Sequence, residues 1–131
     1  MLHVLVVEDD VEHAVFACDA LDGLAHVTVA RTHDAALTYL AVMEYDAVMA
    51  DLSGTDPSLS WAECAESIMR AINRSLVALR RRRPCPLILV SARDPVELHA
   101  LARRLTNCHA LPKPYSVREL RAMIRALTAS S

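Results

Sequence analysis

The chain has 131 residues, enough for one domain with one core and too few for two. With 53% apolar and 23% charged residues it carries far more core-forming material than a disordered chain, and a net charge of −2 supplies no field to draw it onto nucleic acid or an anionic membrane. The longest apolar runs, such as Val4 to Val7 and Leu87 to Val90, fall well short of a membrane span, and no basic region followed by a long apolar segment opens the chain, so a soluble, cytoplasmic protein is expected.

Leu2 to Val7 is apolar apart from His3, rich in Val and followed by acids, the pattern of a strand buried on both faces. Val11, Ala14, Val15, Cys18 and Leu21 then recur at three and four residues, which predicts a helix with that apolar stripe. His26 to Ala30 is short and β-branched, and Thr32 to Met43 returns to helical spacing through Ala36, Leu37 and Leu40. Asp46 to Ala50 is a third apolar run, ending at Asp51. Between Asp51 and Ser91 lie about 40 positions, where the other strand-to-strand spacings are nearer 20 to 25. After a loop at Ser53 to Ser58 that holds Gly54 and Pro57, residues Leu59 to Arg82 contain no proline or glycine and predict an unusually long third helix. Its stripe of Ala65, Ile68, Met69, Ile72, Leu76 and Leu79 is longer than a small sheet covers, so the helix is expected to project and offer a surface to a partner or a second copy. The basic run Arg80 to Arg83 reads as a solvated helix end. Leu87 to Val90 is a fourth strand, ending at Ser91. Asp94-Pro95-Val96-Glu97 opens a helix to about Leu105, His109 to Pro112 is a fifth strand, and the capping box Ser116 to Glu119 opens a last helix to about Leu127. Five strands alternating with five helices predict an open parallel α/β sheet with helices on both faces and right-handed crossovers.

Four cysteines (Cys18, Cys64, Cys85, Cys108) form no C-x-x-C pair and the six histidines share no ligand spacing, so reduced, mostly buried thiols and packing or surface histidines are expected, without zinc. Two glycines, neither in a Gly-rich turn, exclude a P-loop and a dinucleotide fingerprint. In a sheet of this kind the functional crevice lies outside the carboxyl ends of the strands. Those ends carry Glu8-Asp9-Asp10, Asp51, Ser91 and Lys113-Pro114. Each alone has an ordinary explanation as a cap, an Asx or ST turn, or a solvated lysine. Their convergence at four strand ends does not. Lys113 is also the only lysine among 14 basic residues, a compact point charge suited to one phosphoryl or carboxylate oxygen.

With V-L-V-V-E-D-D at 4–10, Y-D-A-V-M-A-D-L at 45–52, L-I-L-V-S-A at 87–92 and L-P-K-P-Y at 111–115, the chain resembles the receiver domain of two-component response regulators over essentially its whole length. The resemblance implies a flavodoxin-like (βα)5 fold with strand order 2-1-3-4-5 and one receiver domain over 1–131 without an output domain. It implies Asp51 as phospho-acceptor, Glu8 and Asp9 as the acidic pair that holds Mg²⁺ with Asp51 and the backbone carbonyl of Ser53, and Ser91 and Lys113 as contacts to the phosphoryl group. Formal charges of −3 on Glu8, Asp9 and Asp51 balance +3 on Mg²⁺ and Lys113, so a phosphoryl group approaching without the metal meets repulsion. The implied donor is a phosphohistidine on a histidine kinase or phosphotransfer protein, and the implied output is contact with a downstream protein, with a homodimer as a further expectation. The chain is then no enzyme beyond its own Mg²⁺-dependent phosphorylation and dephosphorylation.

Two features depart from the family pattern. Thr55 stands where a proline usually follows the acceptor, and Ala110 replaces the switch aromatic three positions before the lysine. They keep open a pseudo-receiver that is not phosphorylated. An aspartate-nucleophile phosphatase is the weaker alternative, because that chemistry wants a second acid two residues after the nucleophile and Ser53 is there. With no ring at Ala110, and His109 facing the other side of its strand, structural change is expected to spread mainly through the Ser53 to Ser58 loop and the start of the long helix.

Overall fold

The computed structural model describes residues 1–53, 55–80 and 83–129. Gly54 of the expected loop and Arg81 and Arg82 of the expected basic run lie outside the described residues. Strands β1 (Leu2–Val7), β2 (Ala25–Ala30), β3 (Ala47–Ala50), β4 (Leu87–Ser91) and β5 (Cys108–Pro112) alternate with helices α1 (Val11–Ala20), α2 (His33–Val42), α3 (Trp61–Ala78), α4 (Pro95–Arg104) and α5 (Val117–Thr128). All pairings are parallel in the order β2-β1-β3-β4-β5, as expected.

Because successive strand residues face opposite sides, the sheet divides the apolar residues into two cores. Leu5, Val7, Val48, Ala50, Leu87 and Leu89 pack under α2, α3 and α4. Val4, Val6, Met49, Ile88, Val90 and Leu111 pack under α1 and α5. Every helix starts on a side-chain cap, from Asp10, Thr32, Ser60, Asp94 and Ser116 in turn. The Ser60–Glu63 capping box starts α3 two residues later than the apolar pattern predicted, since it satisfies the first free N–H groups there. Helix α3 is 18 residues long, against 10 to 12 for the others, and ends where Arg80 turns to φ 53°, the left-handed conformation that commonly stops a helix. The four cysteines are free, with Cys64 and Cys85 buried. Among the described residues no helix is long and apolar enough to cross a membrane.

One expectation fails on which face is buried, that for α3, while of the residues that marked α1 only Ala14 and, just past its end, Leu21 are buried. On α1 the buried residues are Ala14, Ala17 and Ala20, while Val11 and Val15 are 54% and 53% exposed. This helix is apolar around most of its circumference, so periodicity did not select a face, and the alanine side lets it approach the sheet and α5 closely. On α3 the stripe does not project. Ala65, Ile68, Met69 and Ile72 are buried in the cluster that also holds Ala36 and Leu40 of α2, and Leu76 packs against it. A neighbouring helix thus supplies the cover that the sheet alone lacks, and the stripe gives no argument for a homodimer.

Ile68→Ala is therefore expected to destabilise the fold by about 2–5 kcal/mol, the cost of a cavity in a packed core. Val77→Ala, at a side chain 80% exposed on the same helix, should change stability by no more than about 0.5 kcal/mol. Urea unfolding of both variants checks the orientation of α3.

Candidate functional site

Backbone bonds of the parallel ladder continue past the strand ends and set three charged residues side by side. The N–H of Glu8 donates to the carbonyl of Ala30 at 2.9 Å, that of Asp51 to Val7 at 2.9 Å, and that of Lys113 to Ser91 at 2.8 Å. Their side chains then meet. Lys113 Nζ donates to Asp51 Oδ2 at 2.6 Å, to His13 Nδ1 at 2.8 Å and to Glu8 Oε1 at 3.1 Å. An ammonium has three protons to give and accepts nothing, so His13 must present a lone pair at Nδ1 and carry its proton on Nε2. The 3.7 Å approach of His13 Nδ1 to Glu8 Oε1 is accordingly two acceptors sharing one ammonium rather than an ion pair. The second carboxylate oxygens are also occupied: Glu8 Oε2 accepts from Asp10 N–H at 3.3 Å and Asp51 Oδ1 from Ser53 N–H at 3.1 Å.

The side chains of Glu8, Asp51 and Lys113 keep only 7%, 11% and 14% of their exposure, so their charges act through a medium less polar than water. Burial raises the Glu8 pKa and the Asp51 charge raises it further, against the lowering bonds from Lys113 and Asp10. Burial works against the Lys113 charge, but the bond and field of Asp51, then those of Glu8, outweigh it and raise the pKa. Burial, then the charges of Glu8 and Asp51, push the Tyr115 phenol up to about 12.

The structure thus brings together Glu8, Asp51 and Lys113 of the residues singled out in the sequence. Ser91 is buried and joined to Lys113 through its carbonyl, while its hydroxyl oxygen accepts from Arg93 N–H at 3.0 Å in a local turn. Ser53 touches Asp51 through its N–H. The Asp9 carboxylate lies outside the group of donors within 4.8 Å of one another, which is Glu8, His13 and Asp51. Its backbone carbonyl accepts from Arg31 at 3.1 Å.

Sequence reasoning missed His13 and Tyr115. Asp10 caps the N–H of His13 at 3.1 Å, which places the imidazole on the first turn of α1, above the ends of β1 and β3. That cap was legible; the choice among six histidines was not. Phe16 and Tyr115 stack edge to face with centroids 5.5 Å apart. With His13, Ala92, Lys113 and Pro114 they line an open cleft of about 480 Å³.

No protein-family model and no curated protein matches the sequence. Solved structures do match. The receiver domain of a Francisella response regulator is 23% identical, with 98% of this chain and 97% of that one covered and a TM-score of 0.71. The receiver domain of a sensor histidine kinase from Pseudomonas aeruginosa PAO1, with magnesium coordinated in its active-site cleft, is 22% identical over 98% of both chains, with a TM-score of 0.74. The Vibrio cholerae chemotaxis protein CheY4 is 16% identical over 97% and 98%, with a TM-score of 0.74. The chain has the receiver-domain fold of two-component response regulators. Its donor set also suits a small hard cation: two partly buried carboxylates face a single ammonium, which leaves negative charge for a divalent ion to neutralise.

The alkaline limb of stability follows from these groups. The Tyr115 phenol ionises near 10 in the unfolded chain and at about 12 in the folded one, so its contribution is present below about pH 10 and is lost as pH rises toward 12. The raised Lys113 acts in the same direction, its bonds being complete below its ordinary value of 10.5 and lost through its higher folded value. Denaturant unfolding at about pH 9 and about pH 11.5 should show Tyr115→Phe losing less stability between the two than the unsubstituted chain. An equal loss would show that neither its burial nor the neighbouring acids raise the phenol.

Proposed function

We propose that the chain is a phospho-acceptor receiver of a two-component phosphorelay, taking a phosphoryl group from a phosphohistidine onto Asp51 and signalling by contact with a downstream protein. The observation that supports this reading is the Lys113 ammonium held at 2.6 Å from Asp51 and 3.1 Å from Glu8 at the carboxyl edge of a receiver-type sheet. The donor is a histidine kinase or a histidine phosphotransfer protein. A carboxylate oxygen of Asp51 attacks phosphorus, the phosphorus–nitrogen bond breaks with its electron pair left on the imidazole, and an acyl phosphate forms. Lys113, on its flexible stem, follows the charge from the carboxylate to the phosphoryl oxygens, and the Ser91 hydroxyl gives up its local turn to donate to one of them. Glu8 and Asp51, with Asp9 and the Ser53 carbonyl as the resemblance implies, would hold Mg²⁺, which would supply the neutralisation that an anionic phosphoryl group needs beside the acids. The chain accelerates its own phosphorylation and dephosphorylation and no other reaction.

Mass spectrometry after treatment with a small-molecule phosphoryl donor and Mg²⁺ is expected to find one adduct, on Asp51. Asp51→Asn keeps the shape and removes the nucleophile, so the adduct should vanish without loss of the folded state. An equal adduct on that variant moves the acceptor elsewhere. The position of Asp9 outside the close donor group and the ringless Ala110 favour a second reading, a pseudo-receiver that works as a binding module. No adduct on a folded, metal-loaded chain would establish it.

The route of output follows from Ser91 as well. Its hydroxyl is bonded to Arg93 N–H, and the Arg93 guanidinium sits 4.8 Å above the ring of Trp61 at the start of α3. Turning the hydroxyl toward a phosphoryl group breaks the first contact and loosens the second. Addition of a phosphoryl mimic to the Mg²⁺-bound protein should change Trp61 emission and shift NMR resonances over 53–61 more than over 99–105 and 117–125. Equal shifts in the latter segments would show that the fourth and fifth helices carry the output instead.

A further inference from the structure

We propose that His3 and His26 form a binding site for a divalent transition-metal ion of the Zn²⁺ class, at the edge of the sheet opposite the carboxylates and the lysine. The two residues lie far apart in the sequence and share no ligand motif, yet they are direct partners in the parallel register of β1 and β2. Residues paired in register point to the same face of a sheet, so the two imidazoles stand side by side, both exposed. Their ring centroids are 5.4 Å apart and their planes meet at 81°. His3 precedes Glu8 by five residues, about 16 Å along an extended strand. The pair therefore belongs neither to the phospho-acceptor group nor to its cleft, and an ion held there joins the edge strand β2 to β1.

The spacing of the rings is the one that a shared ion needs. A Zn²⁺ ion bound about 2.1 Å from an imidazole nitrogen lies about 3.2 Å from the ring centroid, and two rings so bound at a tetrahedral angle have centroids about 5.2 Å apart. The observed 5.4 Å matches that value. Rings in simple edge-to-face contact range from about 4.5 to 7 Å, so contact alone does not select it. Charge at this edge gives a separate reason. The Asp46 carboxylate is held on the His3 N–H at 2.8 Å, and Met43, Glu44, Tyr45 and Asp46 line with His3 an open hollow of about 360 Å³. Among the described residues this lining holds two carboxylates and no basic group besides His3. Met43 is also the C-cap of α2, which brings the negative end of that helix to the same hollow. A cation is thus favoured here, and the donors select its class. Imidazole suits Zn²⁺, Cu²⁺ and Ni²⁺, whereas Mg²⁺ takes oxygen ligands and retains water. Two protein nitrogens leave the remaining positions to water from the open side.

The test is titration of the folded chain with Zn²⁺, followed through the ring-nitrogen NMR resonances of His3 and His26, so that binding at the thiols or at His13 is read apart from them. Both rings are expected to shift together with one dissociation constant, and Mg²⁺ at the same concentrations is expected to shift neither. His26→Ala should weaken the affinity read at His3 by at least about tenfold, and His3→Ala the affinity read at His26 equally, since even an indirect partner of a metal ligand contributes that much. Both side chains are exposed, so each variant should keep the urea midpoint of the unsubstituted chain in the absence of metal. Different dissociation constants at the two rings, or an affinity at His3 that His26→Ala leaves unchanged, would show single histidines binding separately and overturn the proposal. An equal response to Mg²⁺ would overturn the choice of metal. The site shares no residue with the phospho-acceptor reading, so labelling of Asp51 or its failure leaves this inference where it stands.

Discussion

Two carboxylates, Glu8 and Asp51, share a sheet edge where little solvent reaches them, and the Lys113 ammonium lies between them. Their repulsion is the constraint that the surrounding structure answers. Removing one partner from a buried ion pair typically costs about 3–5 kcal/mol because the other charge is left uncompensated. The whole net stability of a domain is only about 5–15 kcal/mol. The lysine is thus a structural requirement as well as a chemical one, and any group that draws it away has to bring positive charge or accept its proton bonds in exchange.

The topology explains why the acids meet. With the order β2-β1-β3, the chain leaves β1 in one direction and returns to its other side for β3, so the connections after the two strands diverge and open a crevice between their carboxyl ends. Glu8 follows one strand and Asp51 the other. The backbone bonds from Glu8 to Ala30 and from Asp51 to Val7 extend the ladder by one step and remove the freedom by which the two carboxylates would otherwise separate. Lys113 is fixed in the same way on Ser91, and His13 by the cap of α1. None of the four depends on a long loop for its position.

Likeness at 16–23% identity with TM-scores of 0.71–0.74 is what this mode of construction allows. The fold asks for apolar residues of suitable size on both faces of five short strands, and many sequences meet that demand. The candidate site rests on a few side chains at the strand ends. There the chain sets Glu8, Asp51 and Lys113 together with His13 beside them, and an Arg93–Trp61 contact ties the β4 end to α3.

The alternation of strands and helices, the five-stranded parallel sheet, and the placement of Glu8, Asp51, Ser91 and Lys113 at strand ends were all determined by the sequence itself. Each follows from short-range rules: Val-rich runs of four to six residues stopped by a polar group, helical spacing, and capping residues such as Asp94 and Ser116. Tertiary structure alone decided which faces were buried. Helix α1 is apolar on nearly every side, so only packing against the sheet and α5 could select its alanines over Val11 and Val15. The stripe of α3 reads as excess until α2 lies beside it. The tertiary structure also chose His13 from six histidines and set Asp9 apart from Glu8. A lone pair's direction and a carboxylate's reach depend on neighbours far away in the chain, and local periodicity holds no record of them.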